Sequence, residues 1–131
     1  MLMPPVSRYM TNHPYAISPH EKMSSARHLM ATRDIHHLPV MDRDELVGIV
    51  SDRDLHPVHP LHDMTVGELM TEDVAHVAAD TPMDEVIDLM ERRHCSSVVV
   101  LGAKGVEGIF TVSDALRALG DLLRRTVEDR P

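Results

Sequence analysis

Residues 48–54 read Gly-Ile-Val-Ser-Asp-Arg-Asp, and a similar stretch, Gly-Ile-Phe-Thr-Val-Ser-Asp, occupies residues 108–114. Both stretches are apolar runs followed by Ser or Thr, with Asp three residues later. Extending the comparison outward at the same offset of 60 residues, from 6–54 to 66–114, gives 11 identities in 49 ungapped positions. Roughly three identities would be expected from ordinary composition. The chain therefore contains an internal repeat, which indicates two copies of one structural unit.

The first part of each repeat predicts a strand followed by a helix. In the first repeat, residues 15–17 predict a short strand, and Ser-Pro-His-Glu at residues 18–21 resembles a capping box with proline at the first helical position. A helix is expected to begin there. Apolar residues at helical spacing then form a core-facing stripe in both repeats. These are Met23, Ala26, Leu29 and Met30 in the first repeat, and Met83, Val86, Ile87 and Met90, behind Thr81 and Pro82, in the second.

The second part of each repeat predicts a β-hairpin followed by another helix. Apolar runs joined by turn-forming residues occupy 37–41 and 46–50, and again 97–101 and 106–110. Helices are expected to begin within residues 51–54 and 111–114, and the last one presents an apolar stripe from Ala115 to Val127. The Pro-rich residues 56–62 predict a linker. Each repeat thus has the predicted order strand, helix, strand, strand, helix.

The composition limits the classes of function. The 131 residues are 43% hydrophobic, enough for one domain-sized core, and 13 Lys and Arg against 21 Asp and Glu give a net charge of −8. Without a basic run to follow a phosphate backbone, no nucleic acid partner is expected. No stretch approaches the roughly 20 apolar residues of a membrane span, and the start lacks the apolar core of a secretory signal. We therefore expect a cytoplasmic protein with no membrane partner.

The repeated strings, in this order, resemble the cystathionine-beta-synthase (CBS) domain family. They are Val-x-x-x-Met-Thr at the start of each repeat, residues 35–40 and 95–100 in the middle, and the two stretches quoted first at the end. The resemblance covers residue 6 to about residue 118. It implies an α/β (α+β) fold in which two β-α-β-β-α units pack sheet to sheet with pseudo-twofold symmetry. The implied domains are 6–56 and 66–118, with a linker at 57–65 and a C-terminal helix and tail at 119–131.

The same resemblance implies a function. CBS pairs bind adenosine-containing ligands in the clefts between their units, which suggests a non-catalytic sensor of AMP, ADP, ATP, NAD or S-adenosylmethionine. An adenine nucleotide would then be a regulatory ligand, and no cofactor would be required. Such pairs commonly form homodimers, and a separate effector protein would carry the output.

The Ser/Thr-x-x-Asp motif supplies the candidate ligand-binding residues. In the family its Asp holds the ribose hydroxyls and its Ser or Thr lies near the phosphate, which implies Asp54 with Ser51, and Asp114 with Thr111. An ionised carboxylate has acceptors for two adjacent hydroxyls, and a helix N-terminus beside it favours phosphate. The same string is also an ordinary helix N-cap with an acidic first turn, and the two roles can coexist. The preceding glycines, Gly48 and Gly108, would allow close approach of a backbone or a ligand.

The two copies differ around this motif. In the first, Arg53 lies inside the motif and His37 occupies a position where some nucleotide-binding relatives carry a basic residue, so both are candidates to contact an anion. The equivalents in the second copy are serines, Ser97 among them. The alternative for Arg53 is a solvated ion pair with Asp52 or Glu45. We expect the first site to be the principal one, and the second to take a less charged ligand or none.

Three other functions have to be compared with these sequence features: metal binding, catalysis and a ligand-free scaffold. The linker histidines could hold a transition metal, although the prolines between them prevent a helix from aligning them; these are His56, His59 and His62. Catalysis is not indicated, because the single cysteine, Cys95, has its nearest histidine only as a sequence neighbour and is better explained as a small buried residue. The apolar stripe of the last helix would also suit a ligand-free dimeric scaffold.

Overall fold

The computed structural model describes residues 2–55 and 64–128 and divides the chain into two compact units. The first, which we call the central unit, is Pro14–Val74, and the second, the terminal unit, combines Met1–His13 with Ala75–Pro131. In chain order the elements are β1 (Thr11–Asn12), α1 (Met23–Arg33), β2 (His37–Asp42), β3 (Glu45–Ser51), α2 (Val66–Leu69), β4 (His76–Val77), α3 (Met83–Arg93), β5 (Ser97–Gly102), β6 (Gly105–Thr111) and α4 (Val112–Glu128), with 3-10 helices at Val6–Arg8 and Asp52–Leu55. This mixed α+β composition confirms the predicted fold class.

The predicted hairpins are confirmed in both units. In the central unit β2 and β3 pair antiparallel, and in the terminal unit β5 and β6 do the same within a four-stranded sheet of order β1-β6-β5-β4. Both hairpins shift register at the same place, after Val40 and after Val100. The two repeats therefore share even this irregularity in their hairpins. Gly48 lies opposite Val40, as Gly108 lies opposite Val100.

The first segment of each repeat packs in the unit that holds the hairpin of the other repeat. Val6 belongs to the core of the terminal unit with Phe110, and its N–H donates to the Thr81 carbonyl at 2.8 Å. Val66, the equivalent residue 60 positions later, belongs to the core of the central unit, and its N–H donates to the Glu21 carbonyl at 2.8 Å. The compact units are thus not the sequence repeats: the two repeats exchange their initial segments.

The predicted capping box at residues 18–21 is wrong. Helix α1 begins at Met23, after an N-cap residue, Lys22, that makes no side-chain cap, and Ser18 Oγ instead accepts the N–H of His20 at 3.2 Å in a preceding turn. The first helical N–H donates to the Met64 carbonyl at 2.9 Å. A distant backbone carbonyl satisfies the donor that a local side chain was expected to satisfy.

The strand predicted at residues 15–17 is also wrong in extent. The structure has only an isolated parallel bridge, in which Ile17 pairs with Val40. The matching position in the terminal unit carries the short parallel strand β4, where Val77 pairs with Val100. Ile17 and Val77 thus pair with equivalent residues of the two hairpins, Val40 and Val100. The central unit therefore has the same topology as the terminal unit, with a shorter edge strand.

Helix α4 buries one face and leaves an apolar face in solvent. Asp114 and Ala118, one turn apart, are buried on the inner side. The hydroxyl of Tyr9 donates to the Asp121 carboxylate at 2.5 Å, which joins the first segment of the chain to this helix and raises the pKa of Tyr9. Five large apolar residues on the other side are 50–68% exposed, namely Val112, Leu116, Leu119, Leu123 and Val127. We call this set the α4 stripe.

Across residues 2–55 and 64–128, no helix has both the length and the apolar character that crossing a membrane requires.

Candidate functional site

The first candidate site lies where β3 ends and the 3-10 helix Asp52–Leu55 begins. Asp54 turns back onto the end of the strand, so that its Oδ2 accepts the Ser51 N–H at 2.8 Å and lies 3.4 Å from the Ser51 hydroxyl. This is the reciprocal half of a capping box, in which the carboxylate of the fourth residue accepts the N–H of the first. Within the described parts of the chain, Oδ1 of Asp54 accepts no hydrogen bond. Among these residues, the half-buried carboxylate thus has one oxygen that no donor occupies.

His37 and Arg53 flank this carboxylate differently. His37 is the register partner of Ser51 across the hairpin, which brings it to the same end of the strands. Burial lowers the pKa of His37, although the carboxylates of Asp52 and Asp54 oppose the shift. The imidazole is therefore neutral at pH 7 and is suited to neutral hydrogen bonding rather than to charge pairing.

The exposed guanidinium of Arg53 is the cation at the first site. The sequence left open an ion pair between Arg53 and Asp52, but Asp52 Oδ2 lies 3.0 Å from Nδ1 of His36, and Arg53 forms no ion pair with any residue that the structure describes. The Asp52 N–H also donates to the His36 carbonyl at 3.0 Å. Among the described residues, Asp52 therefore pairs with His36 and not with Arg53.

The second candidate site repeats the turn at the end of β6, with a more crowded carboxylate. Asp114 Oδ2 accepts the Thr111 N–H at 2.9 Å and lies 3.2 Å from the Thr111 hydroxyl. Its Oδ1 faces two further donors, the Thr11 hydroxyl at 3.4 Å and the guanidinium of Arg117. Ser97, buried at the start of β5, is the register partner of Thr111. Both oxygens of this carboxylate are occupied, and Asp114 is only 2% exposed.

The structure thus brings the predicted residues together as two separate groups. His37, Ser51, Arg53 and Asp54 meet in the central unit, and Ser97, Thr111 and Asp114 meet in the terminal unit. Sequence reasoning missed Thr11 and Arg117 as partners of Asp114. The spacing of three residues between Asp114 and Arg117 on a predicted helix was a usable signal for an ion pair, whereas nothing local connects Thr11 to Asp114.

A groove of about 490 Å³ lies elsewhere in the terminal unit, beside α3. Its lining carries three carboxylates and one cation, and it includes none of the predicted site residues. The lining residues are Val77, Thr81, Asp84, Glu85, Asp88, Leu89 and Arg92. The Arg92 Nε is already paired with Asp88 at 2.8 Å. A nucleotide phosphate would be repelled here, so we do not place the adenosine site in this groove.

Two other candidates from the sequence are Cys95 and the linker histidines. Cys95 is partly buried against the core of the terminal unit, next to His94, which ends α3 in a left-handed conformation. Among the described residues, no three or more His, Cys, Asp or Glu side chains are placed so that they could hold a metal ion together. The linker histidines, His56, His59 and His62, lie outside the described residues.

Comparison with known proteins identifies the repeat. The CBS domain family matches residues 6–56 and 66–121. The inosine-5'-monophosphate dehydrogenase of Thermoplasma acidophilum is 35% identical over 103 residues, which are 78% of this chain and 21% of that enzyme. The chain therefore spans about a fifth of the dehydrogenase, and the similarity does not extend its catalytic activity to this chain.

Solved structures of CBS proteins resemble the chain over most of its length. AcuB from Vibrio cholerae is 31% identical, with a TM-score of 0.86 and coverage of 99% of this chain and 100% of that one. A CBS domain pair in complex with 5'-methylthioadenosine and S-adenosyl-L-methionine is 27% identical, with a TM-score of 0.85 and coverage of 92% and 98%. The protein CBSX2 in complex with AMP is 25% identical, with a TM-score of 0.79 and coverage of 91% and 98%. The chain belongs to the CBS domain family, with one CBS domain in each of its two repeats.

Proposed function

We propose that this chain is a non-catalytic, cytoplasmic regulatory module that binds an adenosine-containing ligand at Ser51, Arg53 and Asp54. AMP, ADP, ATP, NAD and S-adenosylmethionine all offer the same ribose and adenine groups. The observation that carries the proposal is the free Oδ1 of Asp54 beside the unpaired guanidinium of Arg53, among the residues described. A carboxylate oxygen for a ribose hydroxyl and a cation for a phosphate are the two groups that such a ligand needs.

The ligands of structurally similar proteins support this choice. One similar CBS pair is in complex with S-adenosyl-L-methionine and 5'-methylthioadenosine, and another CBS protein is in complex with AMP. The three ligands share adenosine and differ in charge at the 5' position. Because the net charge of this chain is −8, long-range attraction would not bring a nucleotide to it. The local donors, Arg53 above all, must supply the affinity for phosphate, and His37 would contribute as a neutral group.

Asp54→Ala is expected to weaken AMP binding by about 100-fold or more, because two charge-assisted hydrogen bonds of about 1.5 kcal/mol each are lost. Isothermal titration calorimetry of the wild type, Asp54→Ala and Asp114→Ala measures this directly, and ADP, ATP, NAD and S-adenosylmethionine can be ranked in the same way. Asp114→Ala is the matched control, since it removes the equivalent carboxylate of the other repeat. If Asp54→Ala bound as the wild type does while Asp114→Ala lost binding, the first repeat would not hold the principal site.

The α4 stripe supports a second proposal, that the chain also self-associates as a homodimer. Its five residues follow one another at spacings of four, three, four and four, which keeps them on one side of the helix. Their spacing matches the seam of a helix pair, so a second copy of the same helix can cover them. In this arrangement signalling would act through self-association or through a separate effector protein, and a ligand-free dimeric scaffold is the alternative to sensing.

Leu116→Ser combined with Leu119→Ser is expected to convert a dimer to a monomer, because it removes two apolar side chains from the centre of the α4 stripe. Sedimentation velocity over a range of protein concentrations provides the measurement. Arg124→Ser is the control, since Arg124 is exposed on the same helix but outside the stripe. A dimer that survived the double substitution would assign self-association to another surface, whereas loss of the dimer in Arg124→Ser as well would show that the effect is not specific to the stripe.

A further inference from the structure

The carboxylate of Asp114 has no acceptor left for a ligand. A carboxylate offers about four acceptor positions, and four donors face this one: the N–H and hydroxyl of Thr111 at Oδ2, and the Thr11 hydroxyl and Arg117 guanidinium at Oδ1. Even one ribose hydroxyl would need one of those positions. Ribose binding at Asp114 therefore requires the departure of a donor already in place.

Arg117 is the donor best placed to leave. The Thr111 N–H belongs to the backbone of the turn, and the Thr11 hydroxyl is on a short side chain whose backbone pairs with Ile109, so neither donor can move far from the carboxylate. The side chain of Arg117, in contrast, is 69% exposed, while that of Asp114 is 3% exposed. The guanidinium thus covers a buried carboxylate from the solvent side. Rotation of one exposed side chain would free one acceptor position on Oδ1 without any movement of the backbone, while the Thr11 hydroxyl stays on the other position.

The first repeat has no equivalent of this contact. The residue three positions after Asp54 is Pro57, whose side chain carries no hydrogen-bond donor, whereas the residue three positions after Asp114 is Arg117. Oδ1 of Asp54 correspondingly accepts no hydrogen bond from the described residues. Among the described residues, the carboxylate of the motif thus has one oxygen without a hydrogen bond in the first repeat and no such oxygen in the second.

We propose that Arg117 is a displaceable cover on Asp114 that closes the ribose acceptor of the second repeat, and so determines that the two repeats differ in affinity. This rests on the proposed function, because it assigns the same ribose chemistry to the motif. Arg117 acts here by competition: it does not touch the ligand, and any ribose that binds must first replace it. For the ribose, the unequal affinity arises from this side chain, whereas the basic residue beside the first motif, Arg53, acts on the phosphate.

The test uses adenosine, which carries the ribose hydroxyls without a phosphate, so that the loss of a positive charge does not itself weaken binding. In an Asp54→Ala background, which removes the first site, Arg117→Ala is expected to increase adenosine affinity about tenfold, since a charge-assisted hydrogen bond no longer competes. Binding at the second site can be followed by the amide chemical shift of Thr111, because the Thr111 N–H donates to the Asp114 carboxylate. Arg124→Ala in the same background is the control, since it removes the same charge from the same helix.

The proposed role of Arg117 would be wrong if adenosine bound with equal affinity with and without Arg117. It would also be wrong if Arg124→Ala raised the adenosine affinity as much as Arg117→Ala does. A purely structural role for Arg117 would instead lower the thermal midpoint without raising affinity, and that result also overturns it. If Arg117→Ala does not fold, Arg117→Gln keeps a neutral donor and is expected to give a smaller rise, about threefold. The proposed function fails separately, if the wild type and Asp54→Ala bind AMP with equal affinity. In that case the adenosine titration followed at the Thr111 N–H still tests the role of Arg117.

Discussion

Phe110→Ala is expected to lower the free energy of unfolding by about 3–5 kcal/mol. Phe110 is fully buried on β6 and is the only phenylalanine in the chain. It lies in the core of the terminal unit together with Val6, which arrives from the other repeat, and with Met90 from α3. Its removal would leave a cavity where three segments of the chain meet. Because the surrounding backbone is paired in a sheet, the core cannot collapse fully to fill that space.

Urea denaturation followed by circular dichroism measures this loss. Leu119→Ala is the control, because Leu119 is 53% exposed on the α4 stripe and its truncation should change the free energy of unfolding by no more than about 0.5 kcal/mol in the monomer. Val50→Ala makes the equivalent change in the central unit and should cost less, since valine has less volume to lose. A loss below about 2 kcal/mol for Phe110→Ala would mean that this core is much more adaptable than its packing indicates.

Gly48→Ala and Gly108→Ala are each expected to destabilise the protein by about 1–3 kcal/mol, because both glycines contact the exchanged segments. A Cβ on Gly48 would lie 2.5 Å from Sδ of Met70 and 3.0 Å from the Thr71 carbonyl oxygen. On Gly108 it would lie 2.5 Å from Sδ of Met10 and 2.9 Å from the corresponding carbonyl oxygen of the exchanged segment. The methionine side chains can move. The carbonyls cannot move as easily, since each belongs to a segment whose backbone is bridged to the strand.

Gly120→Ala is the matched control and should have the opposite effect. Gly120 lies inside α4, where alanine is favoured over glycine by about 1 kcal/mol, and an added Cβ would meet only the flexible end of Arg124 at 3.3 Å. Urea midpoints of the three single variants would establish the order. Stability equal to the wild type in both Gly48→Ala and Gly108→Ala would show that the exchanged segments can shift without loss.

The sequence predicted some elements well because their signals are local. The runs at 37–41 and 97–101, with their turns and return strands, match β2, β3, β5 and β6 to within one residue at each end. The start of α1 was misplaced because its first N–H is satisfied by Met64, about 40 positions away. A capping box depends on neighbouring residues, and no local pattern reveals that a distant carbonyl takes its place.

The candidate sites show the same division. The sequence alone determined that two Ser/Thr-x-x-Asp turns exist, one after each hairpin. That His37 and Ser97 lie across from Ser51 and Thr111 depends on the register shift in each hairpin, which turn length alone does not give. The sequence also shows that the first motif contains a basic residue, Arg53, where the second has a serine. In the structure Arg53 is exposed and forms no ion pair with a described residue.

Only the tertiary structure decided what each carboxylate contacts. Thr11 reaches Asp114 across 103 positions of sequence because the first segment pairs with β6, and this exchange brings Val6 into one core and Val66 into the other. Asp114 accepts hydrogen bonds on both oxygens, and Asp54 accepts them on one oxygen only from the residues that the structure describes. The sequence determined where the motif occurs, since strand ends and helix starts depend on neighbouring residues. The contacts of the Asp114 carboxylate depend on long-range packing, which brings Thr11 to it, and on Arg117, which lies one turn further along the helix.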